Sequence, residues 1–411
     1  MGFGMNKKNK IVWVCHFTNS FVQSKLPLWK KSQPFAAWIP STLEGFEDSD
    51  EFELHIISPH QYLKKNTSFK EKNITYHFFK IGIPFLNRTW PIFFDLDLYT
   101  NYFFNKKEIK RLINKIEPDL INLQGAENPY YSSAALELYA KYPLLVTIQG
   151  FVSLEVDSGD TKHYKKRVEI EKEIINKCSY FGGDLDSKLV IESLKSDSFE
   201  YFNFLYPFGS NVKRFYLEEK AEKRNKEYDI LFWSRITKGK GAEDFIKIVA
   251  ALKQTFPQIK AQMIGGSSDE YINVLKKSAN YLNCLENINF RGFVTNIDDL
   301  YGEVIKNKIL VLPTYNDRLP TVLREAMQLG LPIVSYKTGS IPGINNKDEV
   351  ILLSEVGDID TIVKQITILL NEKFFFNDLI QKAMKYSEDE FGIKNNCAKM
   401  TNAYKNILLS K

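Results

Sequence analysis

Short runs of apolar, β-branched and aromatic residues alternate with longer stretches of helical periodicity along the chain. This alternation is typical of parallel sheets whose strands are connected by helices. The first half predicts strands at residues 11–14, 52–58, 74–79, 120–123, 144–148 and 180–181. The second half repeats the plan with strands at residues 230–233, 261–264, 288–290, 309–312, 332–334 and 350–353. The pattern therefore predicts an α/β fold with two successive parallel sheets.

A polar interval separates the two series of strands. Residues 206–210 resemble a turn, and residues 217–227 are highly charged with few apolar positions, as in a linker between domains. The length of 411 residues also fits two domains better than one core. We expect an N-terminal domain over residues 1–208 and a C-terminal domain over residues 209–385, with the active site in a cleft between their sheets.

Composition narrows the class of protein. Hydrophobic residues make up 44% of the chain and charged residues 26%, which supplies enough apolar surface for packed cores. The longest apolar runs are far shorter than the ~20 residues that cross a bilayer, so we expect a cytoplasmic protein. The net charge of +5 is too small to indicate nucleic-acid binding. The four cysteines lie far apart and fit neither a disulfide framework nor a metal-ligand spacing.

One segment is unusually aromatic. In residues 76–104, 11 of 29 residues are aromatic, against 14% for the whole chain. One interpretation is a loop and helix packed into the first core. The other is a hydrophobic rim that contacts a lipid-linked acceptor or the inner face of the membrane, assisted by neighbouring lysine and arginine side chains.

The most informative segment covers residues 313–332, PTYNDRLPTVLREAMQLGLP. It leaves a predicted strand, passes through a polar turn and enters a helix that ends near Gly330. The spacing places Glu325 on the buried face of this helix. A carboxylate in that position is costly unless ligand hydroxyls, a buried arginine or backbone amides satisfy it. The same spacing puts Val322, Ala326 and Leu329 on the buried face and Thr321, Arg324 and Gln328 on the outer face.

Asp317 lies in the turn ahead of this helix, from where it could reach the same cleft. The helix start at Leu319, Pro320 and Thr321 lies beside it in the sequence. Free amides at the start of a helix favour a phosphate group. The plainer interpretation is that Asp317 only begins the turn.

A second polar segment, residues 234–241 (SRITKGKG), directly follows the predicted strand 230–233. At the carboxyl edge of a sheet, Arg235 can bind phosphate oxygens with two parallel hydrogen bonds, and Lys240 can add a point charge. The glycines of this segment resemble the start of a dinucleotide fingerprint, but Asp244 occupies the place of the third glycine. The segment therefore indicates phosphate binding and argues against a Rossmann dehydrogenase.

Together these motifs resemble the retaining glycosyltransferases of the group 1 family, family 4, which have the GT-B architecture of two Rossmann-like domains facing a cleft. Residues 234–241 are similar to that family's Gly-Arg-Leu...Lys-Gly motif. Asp317 and Glu325 are similar to its two acidic residues separated by seven positions. Further similarity lies in residues 330–332 and 339–342, which resemble its closing glycine–proline elements, and in residues 117–125 and 145–150, which resemble two strand ends of its first domain.

The resemblance implies a nucleotide-sugar site on the C-terminal domain. Arg235 and Lys240 would hold the diphosphate, and Glu325 would bind the ribose. Asp317 would bind hydroxyls of the transferred sugar as a catalytic residue. A C-terminal helix within residues 386–411 would return to the N-terminal domain. The resemblance also assigns Gly265, Gly266, Arg291, Leu319, Thr321 and Val322 to the donor site, and Gln149 and Gly150 to catalysis. We further expect His16 and Glu127 on the acceptor side; the plainer interpretation of His16 is a histidine at a strand end whose hydrogen bonds the fold satisfies.

The chain departs from the family pattern at several of these positions. Asp317 replaces a glutamate, Ser234 and Arg318 replace glycines, and Gln149 stands where many members have histidine. Two Asp-x-Asp pairs, a metal-binding motif in another glycosyltransferase fold, also occur. Because 50 acidic residues in 411 predict about six acidic-x-acidic pairs by chance, we expect no metal site at either pair. The pairs are Asp95/Asp97 and Asp184/Asp186.

The sequence thus predicts a retaining, metal-independent glycosyltransferase without a cofactor. Its donor would be a UDP- or GDP-sugar, and its acceptor a saccharide or lipid-linked glycan in cell-surface polysaccharide synthesis. Peripheral contact with the membrane surface is compatible with this function, whereas a nucleic-acid partner is not expected. Two alternatives stay open: a nucleotide-sugar epimerase of the same fold, and a non-catalytic scaffold.

Overall fold

The protein divides into two compact units, each with its own sheet. Unit 1 comprises Met1–Pro207 and Ile393–Lys411, and unit 2 comprises Phe208–Gly392. The structure is a computed structural model. It describes residues 8–26, 38–60, 63, 65–81, 97–154, 161–205, 212, 226–315, 317 and 320–410.

Unit 1 is built on an eight-stranded sheet. Its strands are β1 (Asn9–Val14), β2 (Phe52–His60), β3 (Thr67–Glu71), β4 (Ile74–Lys80), β5 (Leu120–Gln124), β6 (Leu144–Thr147), β7 (Tyr180–Gly183) and β8 (Glu200–Asn203). They pair in the order β3-β4-β2-β1-β5-β6-β7-β8. β3 runs antiparallel to β4, and the other neighbours are parallel. The strand order reverses between β1 and β5, which defines the switch point of this sheet.

The described helices of unit 1 connect and cover these strands. They are α1 (Ser20–Lys25), α2 (Trp38–Glu44), α3 (Phe103–Ile116), α4 (Pro129–Ser132), α5 (Ala135–Leu138), α6 (Lys162–Lys177) and α7 (Leu185–Leu194). The chain returns to this unit at its end with a helix at Ile393–Leu409, which is α14 in chain order.

The sheet of unit 1 is buried on both faces, as parallel sheets require. Alternate residues of β1 enter different cores: Val12 packs with residues of α3 and α6, whereas Trp13 packs with residues of α14. A buried polar contact joins α14 to the sheet, because Asn122 Nδ2 donates to Tyr404 Oη at 2.7 Å. Thr147 Oγ1 donates in turn to Asn122 Oδ1 at 2.7 Å. The last helix is therefore part of the core of unit 1.

Unit 2 is built on a six-stranded sheet. Its strands are β9 (Tyr228–Trp233), β10 (Ala261–Ile264), β11 (Ile288–Gly292), β12 (Asn307–Leu312), β13 (Ile333–Tyr336) and β14 (Leu352–Ser354). They are all parallel and pair in the order β11-β10-β9-β12-β13-β14. This is the doubly wound order, and its switch point lies between β9 and β12. Both units are thus Rossmann-like, and the predicted fold class is confirmed.

The described helices of unit 2 alternate with its strands and then close the unit. They are α8 (Ala242–Thr255), α9 (Asp269–Tyr281), α10 (Ile297–Val304), α11 (Thr321–Gln328), α12 (Ile359–Asn371) and α13 (Lys373–Phe391).

Each predicted strand overlaps a strand of the structure, but the sequence pattern missed β3 and β8. In β3 the side chains of Ser68, Lys70 and Glu71 are exposed, so the strand lacks the apolar alternation that identifies a half-buried strand. β8 is likewise half-buried to exposed along its length. Both are edge strands, where burial imposes the weakest pattern on the sequence.

The aromatic segment lies partly in the core. Tyr76, Phe78 and Phe79 are buried on β4, and Tyr102 is buried before α3. Tyr99 and Phe103 are exposed. Residues 82–96 lie outside the described residues, as does most of the predicted linker. No helix in the described ranges is long and apolar enough to cross a membrane.

The Asn122–Tyr404 hydrogen bond yields a stability prediction. Tyr404→Phe keeps the ring but leaves the buried Asn122 amide without this acceptor, which costs about 1–3 kcal/mol of unfolding free energy. Tyr180→Phe is the matched control, since its hydroxyl contacts Ser410 at the same helix in an exposed position. We expect the control to change stability by less than about 0.5 kcal/mol in urea denaturation. Equal losses in both variants would contradict a structural role for the buried contact.

Candidate functional site

The switch point of unit 2 brings two polar loops to one place. β9 and β12 are parallel neighbours, with Ile230 opposite Ile309. Their carboxyl ends therefore lie at the same edge of the sheet, where open α/β sheets bind ligands. The loop after β9 contains residues 234–241 and the loop after β12 contains residues 313–320. The two motifs that the sequence analysis identified separately thus lie side by side.

Gly241 makes the close approach of the two loops possible. Its φ is +79°, and a Cβ at this position would lie 1.8 Å from the carbonyl oxygen of Pro313. The preceding turn adds two hydrogen bonds, because the Gly239 carbonyl accepts from the Tyr315 amide at 3.0 Å and from Thr314 Oγ1 at 3.3 Å. Only glycine fits this conformation and this space.

A cation and a carboxylate meet between these loops. Lys240 Nζ forms an ion pair with Asp317 Oδ2, and their side chains are only 16% and 19% exposed. Arg235 leaves the end of β9 and is exposed. Within the described part of the chain, Arg235 forms no ion pair. The site therefore presents one exposed guanidinium and one lysine whose charge is balanced by a neighbouring carboxylate.

Glu325 lies on α11, the helix that follows the loop after β12. It is half-buried, and its carboxylate lies 3.4 Å from Tyr301 Oη of α10. Burial raises the pKa of Glu325 to about 7, although Arg324 and the Tyr301 hydroxyl oppose the shift. A carboxylate with few protein partners in such a place is suited to accept hydrogen bonds from ligand hydroxyls.

The start of α11 has no side-chain cap. Its N-cap residue is Pro320, whose side chain carries no hydrogen-bonding group, and Thr321 is exposed while Val322 is half-buried. Free amides at this end add a partial positive charge to the site. Leu319 was also assigned to the donor site, but it lies outside the described residues.

The prediction that Arg324 and Gln328 lie on the outer face of this helix is wrong. They are 7% and 6% exposed, because α13 packs against this side of α11. The Arg324 guanidinium lies 5.6 Å from the centre of the Phe391 ring, and Gln328 Nε2 donates to the Met384 carbonyl at 3.3 Å. A second buried face cannot be read from the spacing of apolar residues alone, since polar side chains occupy it.

The other predicted donor residues lie directly after β10 and on β11. Gly265 has a φ of +151°, and a Cβ there would lie 1.8 Å from the Ser234 carbonyl oxygen. The next residue, Gly266, accepts a hydrogen bond from the Ile236 amide at 3.0 Å. Both glycines thus contact the loop after β9. Arg291 instead forms an ion pair with Glu303 of α10 at 3.8 Å.

The switch point of unit 1 carries the predicted acceptor-side residues. His16 follows β1, and its Nδ1 lies 3.4 Å from Asn128 Nδ2 after β5. Gln149 follows β6, and its Nε2 donates to the Gln124 carbonyl at 2.9 Å. The next residue, Gly150, has open space where a Cβ would be.

Glu127 lies in the same loop as Asn128 and is half-buried. Burial raises its pKa to about 7. Tyr131 Oη lies 3.3 Å from its Oε1 and also donates to the Gln124 carbonyl at 2.6 Å. Its Oε2 has no hydrogen-bond partner among the described residues. Tyr131 carries no motif that would identify it from the sequence; it lies on α4, after the loop that follows β5.

One of the Asp-x-Asp pairs has a clear structural role. Asp184 is the N-cap of α7, and its Oδ1 accepts hydrogen bonds from the Ser187 amide at 2.7 Å and from the Ser187 hydroxyl at 2.6 Å. In the other pair, Asp97 is buried and Asp95 lies outside the described residues.

Comparison with known proteins supports the resemblance that the motifs indicate. Residues 214–387 match the family model "Glycosyl transferases group 1". An uncharacterized glycosyltransferase of Haemophilus influenzae is 28% identical over 172 residues, which are 41% of this chain and 45% of the relative. N-acetyl-alpha-D-glucosaminyl L-malate synthase of Bacillus anthracis is 22% identical over 204 residues, 48% of this chain and 52% of that one. The chain therefore matches about half the length of these curated relatives. The predicted resemblance to the group 1 glycosyltransferases is confirmed.

Solved structures share the fold over nearly the whole chain. Sucrose-phosphate synthase from Thermosynechococcus elongatus aligns with a TM-score of 0.72 at 15% identity, covering 98% of this chain and 100% of that one. HepE from Anabaena, solved in complex with UDP, aligns with a TM-score of 0.65 at 13% identity, covering 97% and 100%. At these identities the likeness concerns the fold.

The close approach at Gly241 can be tested by adding a single methyl group. Gly241→Ala combines a left-handed conformation with a clash against Pro313 and should cost at least about 2 kcal/mol of unfolding free energy. Gly239→Ala is the matched control in the same turn, because a Cβ there meets nothing within 4 Å. We expect the control to stay within about 0.5 kcal/mol of the wild type. Similar stability of the two variants would show that the loops do not touch as described.

The raised pKa of Glu325 predicts how a variant responds to pH. The native state holds this proton up to a higher pH than the unfolded state, so its contribution to stability falls as pH rises from about 4.5 to 7. Glu325→Gln removes this loss while keeping a hydrogen-bond acceptor for Tyr301. The unfolding free energy of the variant, relative to that of the wild type, should therefore rise by about 1–2 kcal/mol between pH 4.5 and pH 7.5. This figure is discounted for the partial exposure of the side chain. A difference in unfolding free energy between the two proteins that stays constant from pH 4.5 to pH 7.5 in urea denaturation would contradict the raised pKa.

Proposed function

We propose that this protein is a glycosyltransferase that moves a sugar from a nucleoside-diphosphate sugar to a hydroxyl group of an acceptor. The observation that carries this proposal is the meeting of Lys240 and Asp317, from two separate motifs, at the switch point of unit 2. Lys240 is suited to bind a phosphate group, and Asp317 is suited to accept hydrogen bonds from sugar hydroxyls. The family match of residues 214–387 supports the same reaction class.

The donor would be held by groups of matching chemistry. Arg235, Lys240 and the uncapped start of α11 would bind the diphosphate. Glu325 would accept hydrogen bonds from the ribose, and Asp317 would bind hydroxyls of the transferred sugar. Gly265 and Gly266 would leave room for the base, while Arg291 would border it. The related HepE structures contain UDP and UDP-glucose, which supports a UDP-sugar among the candidate donors.

Negative charge develops on the diphosphate of the donor as the bond between its oxygen and the sugar carbon breaks. Preorganised cations lower the free energy of such a transition state. Arg235 and Lys240 would supply this stabilisation, so we propose transfer that needs no metal ion. We also propose retention of the anomeric configuration, which rests on the resemblance of the motifs to the retaining group.

The acceptor would be bound by unit 1. Glu127 Oε2 is buried without a hydrogen-bond partner in the described residues, and an acceptor hydroxyl would satisfy it. His16, Gln149 and Gly150 lie at the same edge of the sheet. We propose a saccharide or lipid-linked glycan as acceptor in cell-surface polysaccharide synthesis, at the cytoplasmic face of the membrane.

A thermal-shift panel of UDP, GDP, ADP and their sugars tests the donor site. A ligand at 100 times its dissociation constant stabilises the folded protein by about 2.7 kcal/mol. Lys240→Ala should weaken binding of the stabilising nucleotide roughly 10- to 100-fold and abolish transfer, because it removes a charged hydrogen-bond donor. Lys238→Ala, which removes the same charge from an exposed position in the same turn, should leave both unchanged.

The outcomes separate the alternatives. Absence of stabilisation by every nucleotide would favour a non-catalytic scaffold. Formation of an epimerised nucleotide sugar without an acceptor would favour an epimerase. Equal effects of the two lysine substitutions would remove the assignment of Lys240 to the diphosphate.

A further inference from the structure

Asp244 is a buried carboxylate that the proposed donor contacts do not use. It lies in the first turn of α8 and is only 3% exposed. Its Oδ2 accepts hydrogen bonds from Tyr315 Oη at 2.5 Å and from Tyr336 Oη at 2.9 Å, and its Oδ1 accepts from Lys247 Nζ at 3.0 Å. Burial alone would raise the pKa of Asp244, but these three donors outweigh it and lower the pKa. The group is therefore a carboxylate at neutral pH.

The two tyrosines that reach this carboxylate differ in their place in the fold. Tyr336 ends β13 and is fully buried. Tyr315 lies on the loop after β12 and is 45% exposed, so burial contributes little to holding it. Its hydroxyl nevertheless reaches Asp244, and its ring meets the Tyr336 ring edge-on at 5.8 Å.

Further contacts show that Tyr315 fixes the backbone of this loop on both sides. Its amide donates to the Gly239 carbonyl at 3.0 Å, and its carbonyl accepts from Thr338 Oγ1 at 3.2 Å. Asp317 follows two residues later. The carboxylate that pairs with Lys240 is therefore two residues from a residue that is fixed by three hydrogen bonds. The one to Asp244 has the strongest acceptor, because that acceptor is charged.

We propose that Asp244 is a positioning residue which, through the Tyr315 hydroxyl, holds the Asp317 loop in the arrangement that binds the transferred sugar. The first part of this proposal, that Tyr315 anchors the loop, concerns the ligand-free protein and needs no substrate. The consequence for sugar transfer rests on the function proposed above. Neither Asp244 nor Tyr315 touches the donor in this proposal, so both act through Asp317.

Hydrogen exchange of the ligand-free protein tests the anchor without any substrate. Tyr315→Phe keeps the ring and removes one hydrogen bond to a charged acceptor, so exchange of peptides covering residues 313–320 should accelerate about tenfold. Tyr336→Phe is the matched control, since it removes a hydroxyl from the same carboxylate oxygen but lies on the sheet. It should lower global stability without accelerating exchange in this loop. Equal exchange in both variants, or no change in Tyr315→Phe, would overturn the proposal.

Steady-state kinetics test the consequence for transfer. Tyr315→Phe should lower kcat about tenfold and leave KM for the donor within about twofold, because the charged phosphate ligands Arg235 and Lys240 lie on the other loop, after β9. Tyr336→Phe should leave both constants unchanged. An equal fall in kcat for both tyrosine variants would indicate a merely structural role and overturn the proposal.

The two proposals fail in different ways. If the wild type consumes no nucleotide sugar, the proposed function fails, while accelerated exchange confined to Tyr315→Phe still supports the anchor. If the wild type is active and Tyr315→Phe matches it in kcat, the proposed function stands and the positioning role fails. Asp244→Asn should reproduce the faster loop exchange, because a neutral amide oxygen is a weaker acceptor than a carboxylate.

Discussion

The parallel pairing of β9 with β12 is the constraint on which the candidate site depends. Parallel neighbours end at the same edge, and at a switch point the chain leaves them in opposite directions around the sheet. The two loops must therefore lie together, and the absence of a Cβ at Gly241 lets their backbones touch. Lys240 and Asp317, which form an ion pair, lie on the two loops that this backbone contact joins.

The same topological device occurs in both units, but with different chemistry. In unit 2 the loops at the switch point carry Arg235, Lys240 and Asp317, which suits a charged ligand. In unit 1 the residues at the strand ends are Gln149, His16 and Glu127. Burial raises the pKa of Glu127. This contrast fits a diphosphate on one unit and neutral hydroxyl groups on the other. A repeated fold thus supplies the positions, and the side chains at the strand ends differentiate them.

Sequence reasoning succeeded where burial on both faces of a sheet leaves a strong pattern. The central strands of both units follow continuous apolar runs, and the predicted strands all overlap observed ones. It failed at the edge strand β3, where three of five residues are exposed, and on α11, where Arg324 is buried beneath α13. It also missed Tyr315 and Asp244 as partners, since their 71 positions of separation are bridged by a fold-level contact. Local spacing identifies the polar loops at the strand ends, and only tertiary packing determines which side chains connect them.

The return of α14 to unit 1 has a consequence for how the protein folds during its synthesis. Asn122 and Tyr404 are 282 positions apart, and the whole of unit 2 lies between them in the chain. During synthesis, unit 2 is available to fold before the helix that covers one face of the first sheet has left the ribosome. The apolar residues of that face, including Trp13, are then without their native cover. Completion of this face of unit 1 therefore requires a late, long-range contact, and such contacts form slowly and leave intermediates open to aggregation.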